Sequence, residues 1–121
     1  MLTDPISMTG NGAAESFARV STEGAKARYK VLARAANNEC ELTFSNQDAG
    51  TGKGRRVRTL QRLDDYITLS DGFTPGKNSI SLIIDRPVEQ AADTAVLELL
   101  AKLVNYLDVP ANAQALIDGQ I

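Results

Sequence analysis

The stretch Ser79–Leu107, SISLIIDRPVEQAADTAVLELLAKLVNYL, changes its period near Pro87. In its first part Ile80, Leu82 and Ile84 fall on one side, Ser79, Ser81 and Asp85 on the other, with Ile83 the exception. A repeat of two is the mark of a half-buried strand. From about Glu89 the spacing becomes helical: Val96, Leu99, Leu100, Leu103, Val104 and Leu107 recur at i, i+3, i+4, i+7, i+8 and i+11. Leu97 and Tyr106 widen the stripe, Ala91, Ala92 and Ala95 add helix propensity, and Glu98 and Lys102 form a favourable i,i+4 pair. Pro110 ends this helix, and Ala111–Asp118 predicts a second, short one closed by Gly119.

Everything toward the N-terminus reads as strands. Ile6–Thr9 is stopped by Gly10-Asn11-Gly12, a hairpin signal leading into Glu15–Val20. A turn at Glu23-Gly24 precedes Ala27–Ala33, where Ala27, Tyr29 and Val31 alternate with Lys26, Arg28 and Lys30. Asn37-Asn38 predicts the next turn. In Glu39–Asn46, Cys40, Leu42 and Phe44 oppose Glu41, Thr43 and Ser45. A glycine-rich connection, Gln47–Gly54, leads to a strand over 55–63. There Val57, Thr59, Gln61 and Leu63 face away from Arg56, Arg58, Leu60 and Arg62. An unbroken register places Tyr66 with the arginines, whereas a bulge would flip it. Asp71–Asn78 predicts a long loop.

Strands over about 5–86 followed by helices over about 89–119 predict one α+β domain spanning 1–121. It is an N-terminal β-hairpin and an antiparallel sheet with two C-terminal helices packed on one face. A stripe as apolar as Val96–Leu107 cannot offset its ordering entropy alone and must cover something apolar. The sheet offers Cys40, Leu42, Phe44, Val57, Leu63, Ile80, Leu82 and Ile84 for this. The opposite face then carries Arg28, Lys30, Thr43, Ser45, Arg56, Arg58, Arg62 and Ser81.

Composition narrows the function. At 121 residues and 13.0 kDa, the chain has room for one core. No apolar run reaches the ~18 residues of a membrane span, and the N-terminus lacks the basic start and apolar stretch of a signal peptide, so a non-secreted protein without membrane partners is expected. Cys40 is the single cysteine and there is no histidine. Internal disulfides, His-based dyads and imidazole metal sites are thereby excluded. No catalytic residues, cofactor or metal site are expected. Gly50-Thr51-Gly52-Lys53-Gly54 lacks phosphate-loop spacing and reads as a strand connection. Cys40 reads as a buried small side chain, and Asp64-Asp65 as a solvated pair. The net charge of −2 conceals an asymmetry: residues 26–62 hold nine of the thirteen basic side chains and three acids. A basic sheet face on an otherwise acidic chain suits a polyanion, and phosphate backbones are its natural counterpart.

The order of elements resembles the coat proteins of single-stranded RNA bacteriophages, the leviviruses. The resemblance rests on the hairpin ISMTGNGAAESFARV, the strands ARYKV and ECELTFSN, and the arginine-rich strand. It continues through the loop DGFTPGKN, the strand SISLIIDRPV, the helix TAVLELLAKLVNYL and the ending LIDGQI. It implies an intertwined homodimer with Val96, Leu99, Leu100, Leu103, Val104 and Leu107 in the dimer core. It further implies an icosahedral shell assembled in the host bacterial cytoplasm and found in the virion, lined by the open sheet face. The implied partner is single-stranded genomic RNA and, in some members, an RNA hairpin whose binding represses replicase translation. Carried over by position, the RNA contacts are Arg28, Lys30, Thr43, Ser45, Arg56, Arg58, Arg62 and Ser81, with Tyr66 as a base-stacking candidate. Gly72, Phe73, Pro75 and Gly76 would form the loop that adapts between dimers. Arginines stand where the family more usually mixes Lys and Thr, and no adenine pocket is legible. Packaging is thus better supported than hairpin-specific repression. A free-standing dimeric nucleic-acid-binding regulator would use the same face, while a small enzyme or ligand-binding domain would need a convergent acid–base set that the sequence lacks.

Overall fold

A computed structural model describes residues 4–10, 12–35, 38–49, 55–87 and 94–120. The chain divides into two compact units, Met1–Val88 and Glu89–Ile121. The first is a six-stranded antiparallel meander in which neighbours in sequence are neighbours in the sheet. Its strands are β1 (Ile6–Met8), β2 (Glu15–Glu23), β3 (Lys26–Lys30), β4 (Cys40–Ala49), β5 (Arg56–Thr68) and β6 (Pro75–Pro87). The second contains α1 (Thr94–Leu107) and α2 (Pro110–Ile117). Asn11, Asn37, the glycine-rich segment 50–54 and the expected helix start over 89–93 lie outside the described residues.

Directly opposed residues of paired strands share a face, so the ladder sorts the side chains. One face carries the core. Phe17, Tyr29, Val31, Cys40 and Leu42 are buried, with Ile6, Met8, Ala27, Phe44 and Leu63 packed around them. Tyr29, Leu42 and Leu63 stand in one cross-strand row. The ring of Tyr29 meets that of Phe44 edge-on at 5.8 Å. Its hydroxyl accepts from Arg19 at 2.7 Å through Nη2 and 3.1 Å through Nε, which satisfies the polar end of a fully buried side chain. Burial pushes the Cys40 thiol above its usual range, as expected of a small core residue.

Four expectations are corrected. First, the third strand ends at Lys30: Val31 still donates to the Cys40 carbonyl at 3.1 Å, but the chain then turns. Second, the strand expected over 55–63 runs on as β5 to Thr68 in the unbroken register that keeps Tyr66 with the arginines, while a register shift lies between Arg19 and Ser21 in β2. Third, only the stretch around Leu69–Thr74 is a turn, and Pro75 and Gly76 belong to β6, opposite Thr68 and Ile67. Proline is tolerated as the first residue of a strand. At Gly76 a Cβ would come within 2.8 Å of Leu69 Cδ2, the free end of a half-exposed side chain that would have to move aside. Gly72 takes the left-handed conformation (φ 87°). Asp71 caps the turn, accepting from the Phe73 and Thr74 amides at 3.0 and 2.8 Å and from the Thr74 hydroxyl. These bonds hold its carboxyl below the ordinary range, the Thr74 hydroxyl foremost. Fourth, Asp64 and Asp65 are not a solvated pair. Adjacent strand residues point oppositely, and each finds its own cation.

Asp65 meets Arg34 at 2.6 Å on the core face, and Glu15 grips the same guanidinium through both oxygens, at 2.6 and 2.8 Å. This fork ties the β3–β4 connection to β2 and β5. The Arg34 hydrogen bonds hold Glu15 below the usual carboxylate range.

In the helical unit, Pro110 is the first residue of α2, where its missing N–H costs nothing. Gly119 closes that helix at φ 69°: its amide donates to Leu116 at 3.1 Å, and Gln120 donates to Ala115 at 3.0 Å. None of the residues of α1 is buried. Leu99, Leu103 and Val104 are exposed, while Val96, Leu100 and Leu107 are partly covered.

Candidate nucleic-acid interface

The face of the sheet opposite the core is built from cross-strand rows. Arg28, Thr43, Arg62 and Ser81 form one continuous row across β3, β4, β5 and β6. To one side lie Lys30, Glu41, Asp64 and Ser79, then Tyr66 opposite Lys77. To the other lie Lys26, Ser45, Leu60 and Ile83, followed by Gln47, Arg58 and Asp85, and then Arg56 opposite Pro87. All nine side chains singled out in the sequence (Arg28, Lys30, Thr43, Ser45, Arg56, Arg58, Arg62, Tyr66 and Ser81) stand on this one face. Tyr66 keeps company with the arginines because β5 carries no bulge.

Strand pairing sets arginines two residues apart on β5 beside carboxylates on β4 and β6. Arg56 Nε donates to Asp85 Oδ1 at 2.9 Å, and its Nη2 to the Asp85 carbonyl at 3.2 Å. Arg58 Nη2 reaches the other oxygen, Asp85 Oδ2, at 3.3 Å. One carboxylate therefore spans two guanidinium groups. The Arg56 hydrogen bond, followed by that of Arg58, holds the Asp85 carboxyl below its ordinary range. Arg62 Nε donates to Asp64 Oδ1 at 3.0 Å, and Ser79 donates to the same oxygen. Burial alone would raise the Asp64 carboxyl, but the Ser79 and Arg62 hydrogen bonds outweigh it and the net direction is down. Arg28 pairs with Glu41 at 3.1 Å, and Lys30 with Glu39 at 3.0 Å.

The basic side chains are thus partly neutralised within the sheet. Cations still outnumber carboxylates: Lys26, Arg28, Lys30, Arg56, Arg58, Arg62 and Lys77 stand against Glu23, Glu39, Glu41, Asp64 and Asp85. The side chains of Arg56 and Arg58 are 50% and 55% exposed, so several of their N–H groups face outward. A guanidinium offers five donors, and one or two bonds to a carboxylate leave the rest for a second acceptor.

Sequence reasoning left three features of this face unassigned. Lys77, read as loop, sits 5.9 Å over the Tyr66 ring. Leu60 and Ile83 form an apolar shelf between the Arg58 and Arg62 rows, with Ile83 57% exposed. The counter-ion role of Asp85, Asp64 and Glu41 went unseen, although alternation alone puts Asp85 and Glu41 on this side. Among the described residues no group of three or more His, Cys, Asp or Glu is placed to hold a metal ion, and no helix is long and apolar enough to cross a membrane.

No family model matches the chain, and neither does any curated protein. Solved structures do. A virus-like particle of bacteriophage AVE019 superposes with a TM-score of 0.75 at 14% identity, covering 98% of this chain and 97% of that one. A virus-like particle of Beihai levi-like virus 21 follows at 0.68 and 10% identity, covering 100% and 97%. The capsid protein of bacteriophage GA matches at 0.67 and 18% identity, covering 96% and 94%. The fold, a six-stranded antiparallel sheet followed by two C-terminal helices, is that of the single-stranded RNA phage coat proteins.

Proposed function

We propose that a chain with this coat-protein fold is itself a structural capsid protein of a single-stranded RNA bacteriophage, without catalytic activity. The observation that carries the reading is the likeness to particle-forming chains over nearly the full length of both partners. Two features support its finer parts. The apolar stripe of α1 (Val96, Leu99, Leu100, Leu103, Val104 and Leu107) is left without a buried residue, which suits burial against a second copy in an obligate homodimer. The face bearing Arg28, Lys30, Arg56, Arg58 and Arg62 presents cations, hydroxyls and one aromatic ring together, the combination that single-stranded RNA uses for phosphate contacts and base stacking.

In this mechanism dimers close into an icosahedral shell in the host cytoplasm with the basic face inward. RNA phosphates then replace or supplement the carboxylates on the arginines, while Tyr66 offers a stacking surface. The turn at Gly72 and Phe73, with the first residues of β6, Pro75 and Gly76, forms the contact between dimers. Packaging of genomic RNA requires only this general polyanion recognition; translational repression would require a specific hairpin. Negative-stain microscopy of the purified protein, with absorbance at 260 nm, tests the reading. Closed shells containing nucleic acid are expected. Discrete dimers that bind RNA without closing would instead identify a free-standing regulator.

A further inference from the structure

We infer that Asp85 is a built-in competitor for phosphate, a carboxylate that occupies Arg56 and Arg58 in the absence of RNA and lowers the affinity of this face for polyanions. The inference rests on the reading of the face as an RNA surface. Its physical basis is geometric. Asp85 stands directly opposite Arg58 in the β5–β6 ladder, and its two oxygens divide between two guanidinium groups, 2.9 Å from Arg56 and 3.3 Å from Arg58. A bridging phosphodiester presents the same pair of charged oxygens to the same forks. Phosphate and carboxylate are therefore alternative acceptors for the donors that face Asp85. Ligand binding must break or share those bonds.

Position separates Asp85 from the other carboxylates of the face. Asp64 is buried and bonded to both Arg62 and Ser79, and it belongs to the packing of the sheet. Asp85 is exposed, bonds only arginines among the described side chains, and holds no part of the core. Its cost to binding is set by charge. Two arginines with one aspartate present a net single positive charge to a phosphate strand, and without the aspartate they present two. One further condensed counter-ion is then released per chain on binding, so a plot of log affinity against log salt steepens by about 0.7 for a single strand. Between 1 M and 0.15 M salt that slope corresponds to roughly a fourfold gain. Such a device keeps the lining soluble before assembly and favours RNA long enough to engage many chains at once.

The test titrates full-length protein held as unassembled, nucleic-acid-free dimers (wild type, Asp85→Asn, Asp85→Glu and the double variant Arg56→Glu with Arg58→Glu) against a fluorescent 20-nucleotide oligouridylate, from 0.05 to 0.5 M NaCl. Circular dichroism melting checks that each is folded. Asp85→Asn is expected to bind about fourfold more tightly at 0.15 M salt with a steeper salt dependence, and Asp85→Glu to stay near wild type. Unchanged or weaker binding by a folded Asp85→Asn, with wild type still binding and the arginine double variant defective, overturns the competitor role alone. If wild type and the double variant fail equally to bind, the RNA reading of the face fails with it.

Discussion

Replacing Arg56 and Arg58 together by glutamate separates a solvated basic edge from a binding surface. Both side chains are about half exposed and their shared partner Asp85 is on the surface. Exposed ion pairs contribute about 0–1 kcal/mol each. Losing both pairs, and placing new carboxylates beside Asp85 where solvent screens them, should therefore cost only a small part of the roughly 5–15 kcal/mol that stabilises an ordinary domain. The fold should survive. Binding should not. Two phosphate contacts on a single strand account for about 1.4 in the logarithmic salt slope. From 1 M down to 0.15 M salt that is roughly a fourteenfold contribution per chain, before the repulsion of the new carboxylates is included. Multiplied across the chains of a shell, this removes packaged nucleic acid. The assay is the ratio of absorbance at 260 and 280 nm in purified particles, beside a melting curve. Wild-type RNA content in a folded double variant would refute the argument.

Leu42 is fully buried between Tyr29 and Leu63, so Leu42→Ala should destabilise the protein by about 2–5 kcal/mol in chemical denaturation. Leu99 lies on the exposed stripe of α1, and Leu99→Glu should abolish the proposed obligate dimer in analytical ultracentrifugation and lower the melting temperature with it. Glu15, Asp64 and Asp85 all have carboxyls held below their usual range in the folded chain. Their stabilisation is complete above the unfolded carboxylate values near pH 4 and disappears as pH falls through the lower folded ones. The melting temperature should be flat around neutrality and drop below about pH 4, most gently in a Glu15→Gln variant that has already lost one of these groups.

How much of this was legible depended on whether a residue's neighbours were set by alternation or by distant pairing. Alternation placed Cys40, Leu42 and Phe44 opposite Thr43 and Ser45, and Val57 and Leu63 opposite the arginines. The ladder keeps those faces. The helical stripe and its stop at Pro110 and Gly119 were equally local. The lengths of β5 and β6 were not: Asp64 and Asp65 look like strand breakers until Ser79 and Arg34 supply partners from elsewhere in the chain, beside the neighbouring Arg62. Pro75 and Gly76 resemble loop residues for the same reason, since nothing nearby announces the pairing with Thr68 and Ile67. The bulge at Arg19 and Ser21 leaves no mark in composition. On the candidate face the basic residues announced themselves; alternation also put Glu41 and Asp85 on that side, but which arginines they hold emerged only from the cross-strand register.

The most direct measurement is a cryo-electron microscopy reconstruction of particles purified with their nucleic acid. It should show shells of dimers with RNA density lying against the row Arg28, Thr43, Arg62 and Ser81 and extending toward Arg58. RNA density confined to another surface, or this row turned to the particle's exterior, would contradict the account.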